Sequence, residues 1–292
     1  VRCDSLEFGG TNRASDVQLL AGGKGINVSN VLNNLGVQSV ALGFTAGFTG
    51  NVIRSMTEAA GCRCDFIELP DGLSRINVKL KSGGETEING VGPDIPEESM
   101  KKLTEQLDKL EAGDFLVLAG SIPKSLPDTI YHDIMKRLSG KGVHFIVDAV
   151  NDLLMNVLEL HPFLIKPNHL ELGEIFGVDI TGDKEKAAHY AKILREKGAR
   201  NVLVSMAGDG AVLAAEDGKI YSCEAPEGTL VNSVGAGDSM VAGFLTGWSR
   251  SGSYAEALKT GTAAGSASAF SAFLAERDDV EKLYPEIEID VK

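Results

Sequence analysis

Aromatic residues are scarce in this 292-residue chain, 6% with a single Trp, and cysteine is scarcer still. The four cysteines, Cys3, Cys62, Cys64 and Cys223, include a C-x-C but no C-x-x-C pair, which supports neither a zinc site nor a disulfide framework; the thiols read as reduced and structural. The five histidines, His132, His144, His161, His169 and His189, lack H-E-x-x-H spacing, and no G-x-S-x-G elbow occurs, so the usual hydrolase signatures are missing. No apolar run approaches the roughly 20 residues that span a bilayer, and no signal-peptide pattern opens the sequence, which therefore reads as cytoplasmic with no membrane partner. Positive charge is short as well: 28 Lys and Arg stand against 41 Asp and Glu, a net charge of −13. That balance disfavours nucleic acid as a partner but leaves room for a small phosphorylated ligand held by local backbone donors.

What is present is a composition of 43% hydrophobic and 24% charged residues, enough for one large α/β domain with a small appendage. Beyond residue 96, short β-rich runs alternate with amphipathic stretches, the pattern of parallel strands joined by crossover helices. Runs at residues 115–119, 143–147, 163–166 and 202–205 are nearly continuous in apolar residues, as strands covered on both faces require. Helix-like stretches at 97–110, 127–138 and 184–197 lie between them.

Residues 65–89 follow another pattern. Ile76, Val78 and Leu80 alternate with Arg75, Asn77, Lys79 and Lys81, giving one apolar and one basic strand face. With residues 65–69, the Pro70-Asp71-Gly72 turn and residues 85–88 after Gly83-Gly84, this predicts a small antiparallel lid, to which residues 2–18 add strands. The division is then a β lid of residues 1–18 and 65–90 over an α/β core of residues 19–64 and 91–292. An uncovered lid face could pair two copies into a homodimer.

Three segments carry polar residues where a ligand would sit. In the stretch from Asn232 to Met240, Gly235, Ala236 and Gly237 turn a loop into a helix, leaving bare amides and the positive end of the helix dipole facing outward, with Asp238 beside them as a base. A plain acidic helix start reads the same way. Gly22-Gly23-Lys24-Gly25, with Asn27 on the following helical turn, forms a second glycine turn; it is neither a Walker A loop nor G-x-G-x-x-G, and suits an anion or sugar hydroxyl about as well as an ordinary turn. Lys166-Pro167-Asn168-His169-Leu170-Glu171 follows a strand, at the end where open α/β sheets bind ligands. Asn168 and Glu171 there offer oxygen to Mg²⁺ directly or through water, or form a simple capping box. Ser205-Met206-Ala207-Gly208-Asp209-Gly210 ends another strand in small residues that let a ligand approach, and Ser121 holds a similar strand end.

Taken in order, the segments at 22–27, 166–171 and 234–239, with a β lid after the first, resemble the signatures of the PfkB (ribokinase-like) sugar kinases across nearly the whole chain. The resemblance implies a three-layer α/β/α fold with a mainly parallel central sheet and a small β-sheet lid. It also implies ATP and Mg²⁺ as cofactors and phosphoryl transfer to a phosphorylated ketohexose. Residues 74–81, 86–90 and 47–50 look most like the members that convert fructose 1-phosphate to fructose 1,6-bisphosphate, with tagatose 6-phosphate or fructose 6-phosphate as alternative acceptors; a sugar-phosphate-binding regulator without turnover is the alternative of another class. Carried over, Asp238 is the base and Gly235, Ala236 and Gly237 form the anion hole. Lys166, Ser205, Met206, Ala207, Gly208, Asp209, Gly210, Gly237, Ala264 and Gly265 serve the nucleotide. Asn168 and Glu171 organise Mg²⁺ through water. Gly22, Gly23, Lys24, Asn27 and Ser121 hold the sugar with Asp238, and Arg75 or Lys79 neutralises its phosphate. The resemblance further implies an opening strand with a sugar-binding Asp ahead of Val1. The nucleotide loop reads Met-Ala-Gly-Asp-Gly where the family more often has Leu-Gly-Ala-Asp-Gly.

Overall fold

The computed structural model describes residues 1–149 and 151–292. The N-terminal part forms α1 (Lys24–Asn34), β1 (Val40–Ala46), α2 (Gly47–Ala59), β2 (Arg63–Leu69), β3 (Asn77–Lys81) and β4 (Glu85–Asn89). Then come α3 (Glu97–Leu107), β5 (Phe115–Ala119), α4 (Ile130–Arg137), β6 (His144–Asp148), α5 (Asn151–Met155), β7 (Leu164–Ile165), α6 (His169–Phe176), α7 (Lys184–Glu196) and β8 (Asn201–Ser205). The chain closes with β9 (Ala211–Ala214), β10 (Ile220–Cys223), α8 (Ala236–Ser251), α9 (Tyr254–Ala269), α10 (Arg277–Leu283) and β11 (Asp290–Val291).

A seven-stranded sheet in the order β11-β10-β9-β8-β7-β6-β5 divides the core. Strands β5 to β8 are parallel, as the apolar runs and intervening helices predict. Beyond β8 the sheet is antiparallel, because residues 206–210 and 215–219 are turns too short to carry a crossover helix. Side chains leave each strand alternately to two cores. Ile146, Leu164, Leu203 and Leu213 pack toward the residues of α1, α8 and α9, whereas Val147, Ile165, Val202 and Val212 pack toward those of α4, α6 and α7. The result is the expected three-layer α/β/α arrangement.

Helices α8 and α9 touch backbone to backbone. A Cβ on Gly243 would stand 2.5 Å from the Thr260 carbonyl oxygen, and one on Gly247 2.5 Å from that of Glu256, so glycine is what permits this approach. The contact fixes where the first turn of α8 sits.

Two small sheets complete the fold, and one differs from expectation. Residues 65–69 do not join the lid hairpin: β2 pairs in parallel with β1, with α2 as the crossover between them. Phe66, Ile67 and Leu69 are buried there, which a half-exposed lid strand could not provide. The antiparallel hairpin is β3 with β4 alone. Residues 2–18 add no strand to it: Arg2 bridges to Lys81 on the hairpin and, within its own segment, to Asp16. Among the described residues, no helix is long and apolar enough to cross a membrane.

Candidate active site

The N-terminus of α8 stands without a side-chain cap. Its N-cap is Gly235, at φ 80°, a left-handed conformation that favours glycine, and a Cβ there would also lie 2.6 Å from Leu274 Cδ2. The Ala236 N–H donates to Ser233 O and the Ser239 N–H to Gly235 O. Thus Ala236, counted among the anion-hole donors from sequence, is already engaged, and the first-turn amides of Gly237 and Asp238 are those with no backbone acceptor among the described residues. Such donors, with the helix dipole behind them, form an anion cradle.

Asp238 lies in that turn, 6% exposed. The Asn27 side-chain amide donates to its Oδ2 at 2.8 Å, so α1 and α8 meet through the carboxylate. Burial pushes the Asp238 carboxyl above its ordinary value and the nearby Asp148 charge adds to this, against the pull of the Asn27 bond and the Lys24 and Lys166 charges. A carboxylate that is buried, oriented and raised in this way is suited to accept a proton.

Lys24 and Lys166 reach the same place from different elements. Lys24 opens α1 after Gly23, whose φ of 123° again calls for glycine. Lys166 follows β7, and its Nζ would be 3.2 Å from a Cβ on Gly237, so the ammonium rests against the start of α8. Both ammonium groups ion-pair with Oδ1 of Asp148, Lys24 at 3.1 Å and Lys166 at 3.4 Å. Burial pulls the Lys24 ammonium down, but the Asp148 charge and hydrogen bond outweigh it, and the group sits above its ordinary value. Asp148 is absent from the residues picked out in the sequence. The signal was there, since it ends the strand after residues 143–147, where polar side chains face a ligand.

At α6 the capping box is realised. Asn168 Oδ1 accepts from the Leu170 and Glu171 amides, both at 2.9 Å, and Glu171 Oε2 accepts from the Asn168 amide at 2.8 Å. This geometry occupies the Asn168 oxygen and one Glu171 oxygen. Next to it, Ser205 donates its amide to Pro167 O at 3.2 Å, which brings the loop of Ser205, Met206, Ala207, Gly208, Asp209 and Gly210 alongside the 166–171 segment. Met206 and Gly210 are buried, while Ala207, Gly208 and Asp209 are exposed. Ala207 holds φ 50°, in the left-handed region, without being glycine.

Several expected site residues fall elsewhere. Ala264 and Gly265 are both buried, and a Cβ on Gly265 would lie 3.2 Å from Ala236 O, so their small size makes room for the start of α8. Lys79 is paired across the hairpin with Glu87, which offsets its charge on that strand face. Arg75 is exposed between β2 and β3. Gly22 and Gly23 border open space, and Ser121 is exposed just past β5. Among the described residues, no cluster of three His, Cys, Asp or Glu side chains is placed to hold a metal ion.

Comparison with known proteins extends the picture. A family model described as pfkB family carbohydrate kinase matches residues 1–274. The chain is 47% identical to a 1-phosphofructokinase of Bacillus subtilis over 289 residues, covering 99% of this chain and 94% of that protein. It is 35% identical to a D-tagatose-1-phosphate kinase of Bacillus licheniformis, again over 99% of this chain and 94% of the relative. Among solved structures, phosphofructokinase-2 from Escherichia coli in complex with substrates and products superposes with a TM-score of 0.89 at 27% identity, covering 98% of this chain and 94% of that one.

Proposed function

This chain belongs to the pfkB family of carbohydrate kinases, and on that footing we propose that it catalyses the 1-phosphofructokinase reaction, ATP with fructose 1-phosphate giving ADP and fructose 1,6-bisphosphate. The observation that carries this reading is the buried Asp238 carboxylate, held by Asn27 at the uncapped mouth of α8 with two lysines beside it. Asp238 takes the proton of the free C6 hydroxyl as that oxygen attacks the γ-phosphorus and the bond to ADP breaks. The Gly237 and Asp238 amides and Lys166 stabilise the charge on the moving phosphoryl group. The loop 205–210 lies beside the nucleotide, and Gly23 and Lys24 border the sugar.

The donor set suits a hydrated Mg²⁺ and not one bound directly, since the capping box leaves Glu171 its second oxygen while Asn168 keeps none. Bound with the nucleotide, Mg²⁺ would neutralise charge on the β and γ phosphates. Glu171 would orient its water shell through that second oxygen, and Asn168 would hold Glu171 in place.

Arg75 is the cation for the phosphate that the sugar already carries, because Lys79 is engaged by Glu87. Arg75→Ala is expected to raise KM for fructose 1-phosphate at least about tenfold, the worth of a charge-assisted contact, with KM for ATP little changed. An unchanged sugar KM would place that phosphate elsewhere. The reaction itself is tested by ADP release against fructose 1-phosphate, tagatose 1-phosphate, fructose 6-phosphate and tagatose 6-phosphate. The highest kcat/KM is expected for fructose 1-phosphate; no release with any of them would refute the assignment.

The lid supplies a homodimer contact. Ile76 and Ile88 are 57% and 60% exposed on the hairpin side opposite Lys79 and Glu87, an apolar patch that a second copy can cover. Sedimentation should read a dimer, and Ile76→Lys with Ile88→Lys a monomer. A wild-type monomer at all concentrations tested would rule the contact out.

A further inference from the structure

Asp148 is the one charged side chain of this corner that the proposed transfer does not use. It ends β6, its backbone oxygen accepts from the Gly120 amide at 3.2 Å, and its neighbour Val147 accepts from the Lys166 amide at 3.2 Å, so its position is fixed from both adjacent strands. The side chain is 2% exposed. Here Lys24 and Lys166 share Oδ1, and Oδ2 is buried with no partner among the described residues. Native structures seldom leave such an atom unpaired without a functional reason.

The two lysines belong to different halves of the reaction. Lys24 is three residues before Asn27, which holds the base, whereas Lys166 abuts Gly237 in the phosphate cradle. Two ammonium groups on one oxygen repel each other unless an anion lies between them, and Lys166, with its side chain 5% exposed, would otherwise be an uncompensated buried charge. We propose that Asp148 is a positioning residue for phosphoryl transfer: one of its oxygens holds the Lys24 and Lys166 ammonium groups together beside Asp238, so that both face the phosphoryl group in transit. In the ground state the carboxylate offsets the pull of these cations on ATP. As charge moves from nucleotide to sugar, the paired cations are already in place. This rests on the kinase reading above.

Asp148→Asn keeps the size of the side chain and removes its charge. It is expected to lower kcat with fructose 1-phosphate about 100-fold, the scale of losing a preorganised electrostatic group, while KM for ATP and the calorimetric affinity for ATP stay the same or tighten. A purely structural role would weaken binding along with turnover. In a Lys24→Met background the same change is expected to cost kcat at most about tenfold, because coupled residues are not additive. That double variant also restores local charge balance, so it can be compared with Lys24→Met even where Asp148→Asn alone does not fold. Wild-type kcat in Asp148→Asn, weaker ATP binding, or a loss in the Lys24→Met background beyond tenfold would each overturn the proposal. If the wild type transfers nothing to any ketose phosphate, the functional reading fails by itself, and the ATP calorimetry still reads the role of Asp148.

Discussion

Asp238→Asn is expected to lower kcat at least about 100-fold, the scale of losing a general base, with ATP and fructose 1-phosphate still bound. The substitution is nearly isosteric, and Asn27 can still donate to the new amide oxygen, so the junction of α1 and α8 survives. What disappears is the only carboxylate in the first turn of α8. Retained turnover would show that the proton leaves by another route. The pH profile gives an independent reading. The base must be ionised to act, so activity is full above its folded pKa and is lost as pH falls through it. Burial, reinforced by Asp148, holds that value above the ordinary carboxylate range. The acid limb of kcat/KM should therefore lie higher than an exposed Asp would give, and should be absent from the residual activity of Asp238→Asn. A limb at the ordinary Asp position would contradict the buried environment.

Lys166→Met should cut kcat/KM for ATP about 1,000-fold, the upper range for losing one preorganised donor to a transferring phosphoryl group. KM for the sugar should move little. Met matches the buried stem of Lys166, and Asp148 keeps Lys24 as its counter-ion, so the fold has no unpaired buried charge to expel it. The size of the effect comes from where the ammonium lies: buried beside Gly237, against two amides that have no backbone acceptor among the described residues. A loss of less than about tenfold would mean that the amides alone hold the phosphates and that Lys166 serves only to balance Asp148.

How much of this was legible in the sequence depends on whether the signal was local. The glycine turns at 22–25 and 235–237 announce themselves, because the positive φ of Gly23 and Gly235 calls for glycine whatever surrounds it. Strands 115–119 and 202–205 read correctly since their apolar runs are unbroken, even though β5 at the sheet edge is only half-buried. Asp238 follows from its place in a helix start. Other features need a partner that the sequence does not print. Residues 65–69 look like part of the lid until β1 is found beside them. The basic character of Lys79 vanishes once register puts Glu87 opposite. Ala264 and Gly265 have the small size of a ligand groove, which is equally the size two closely packed helices require. Asp148 is a single acid at a strand end, unremarkable until two lysines from distant segments converge on it.

A crystal structure with a non-hydrolysable ATP analogue and fructose 1-phosphate tests the central claim most directly. The γ-phosphate should lie on the Gly237 and Asp238 amides beside Lys166, with the C6 hydroxyl within hydrogen-bond reach of Asp238. A γ-phosphate bound away from the start of α8, or a sugar whose C1 phosphate and not its C6 hydroxyl meets Asp238, would contradict it.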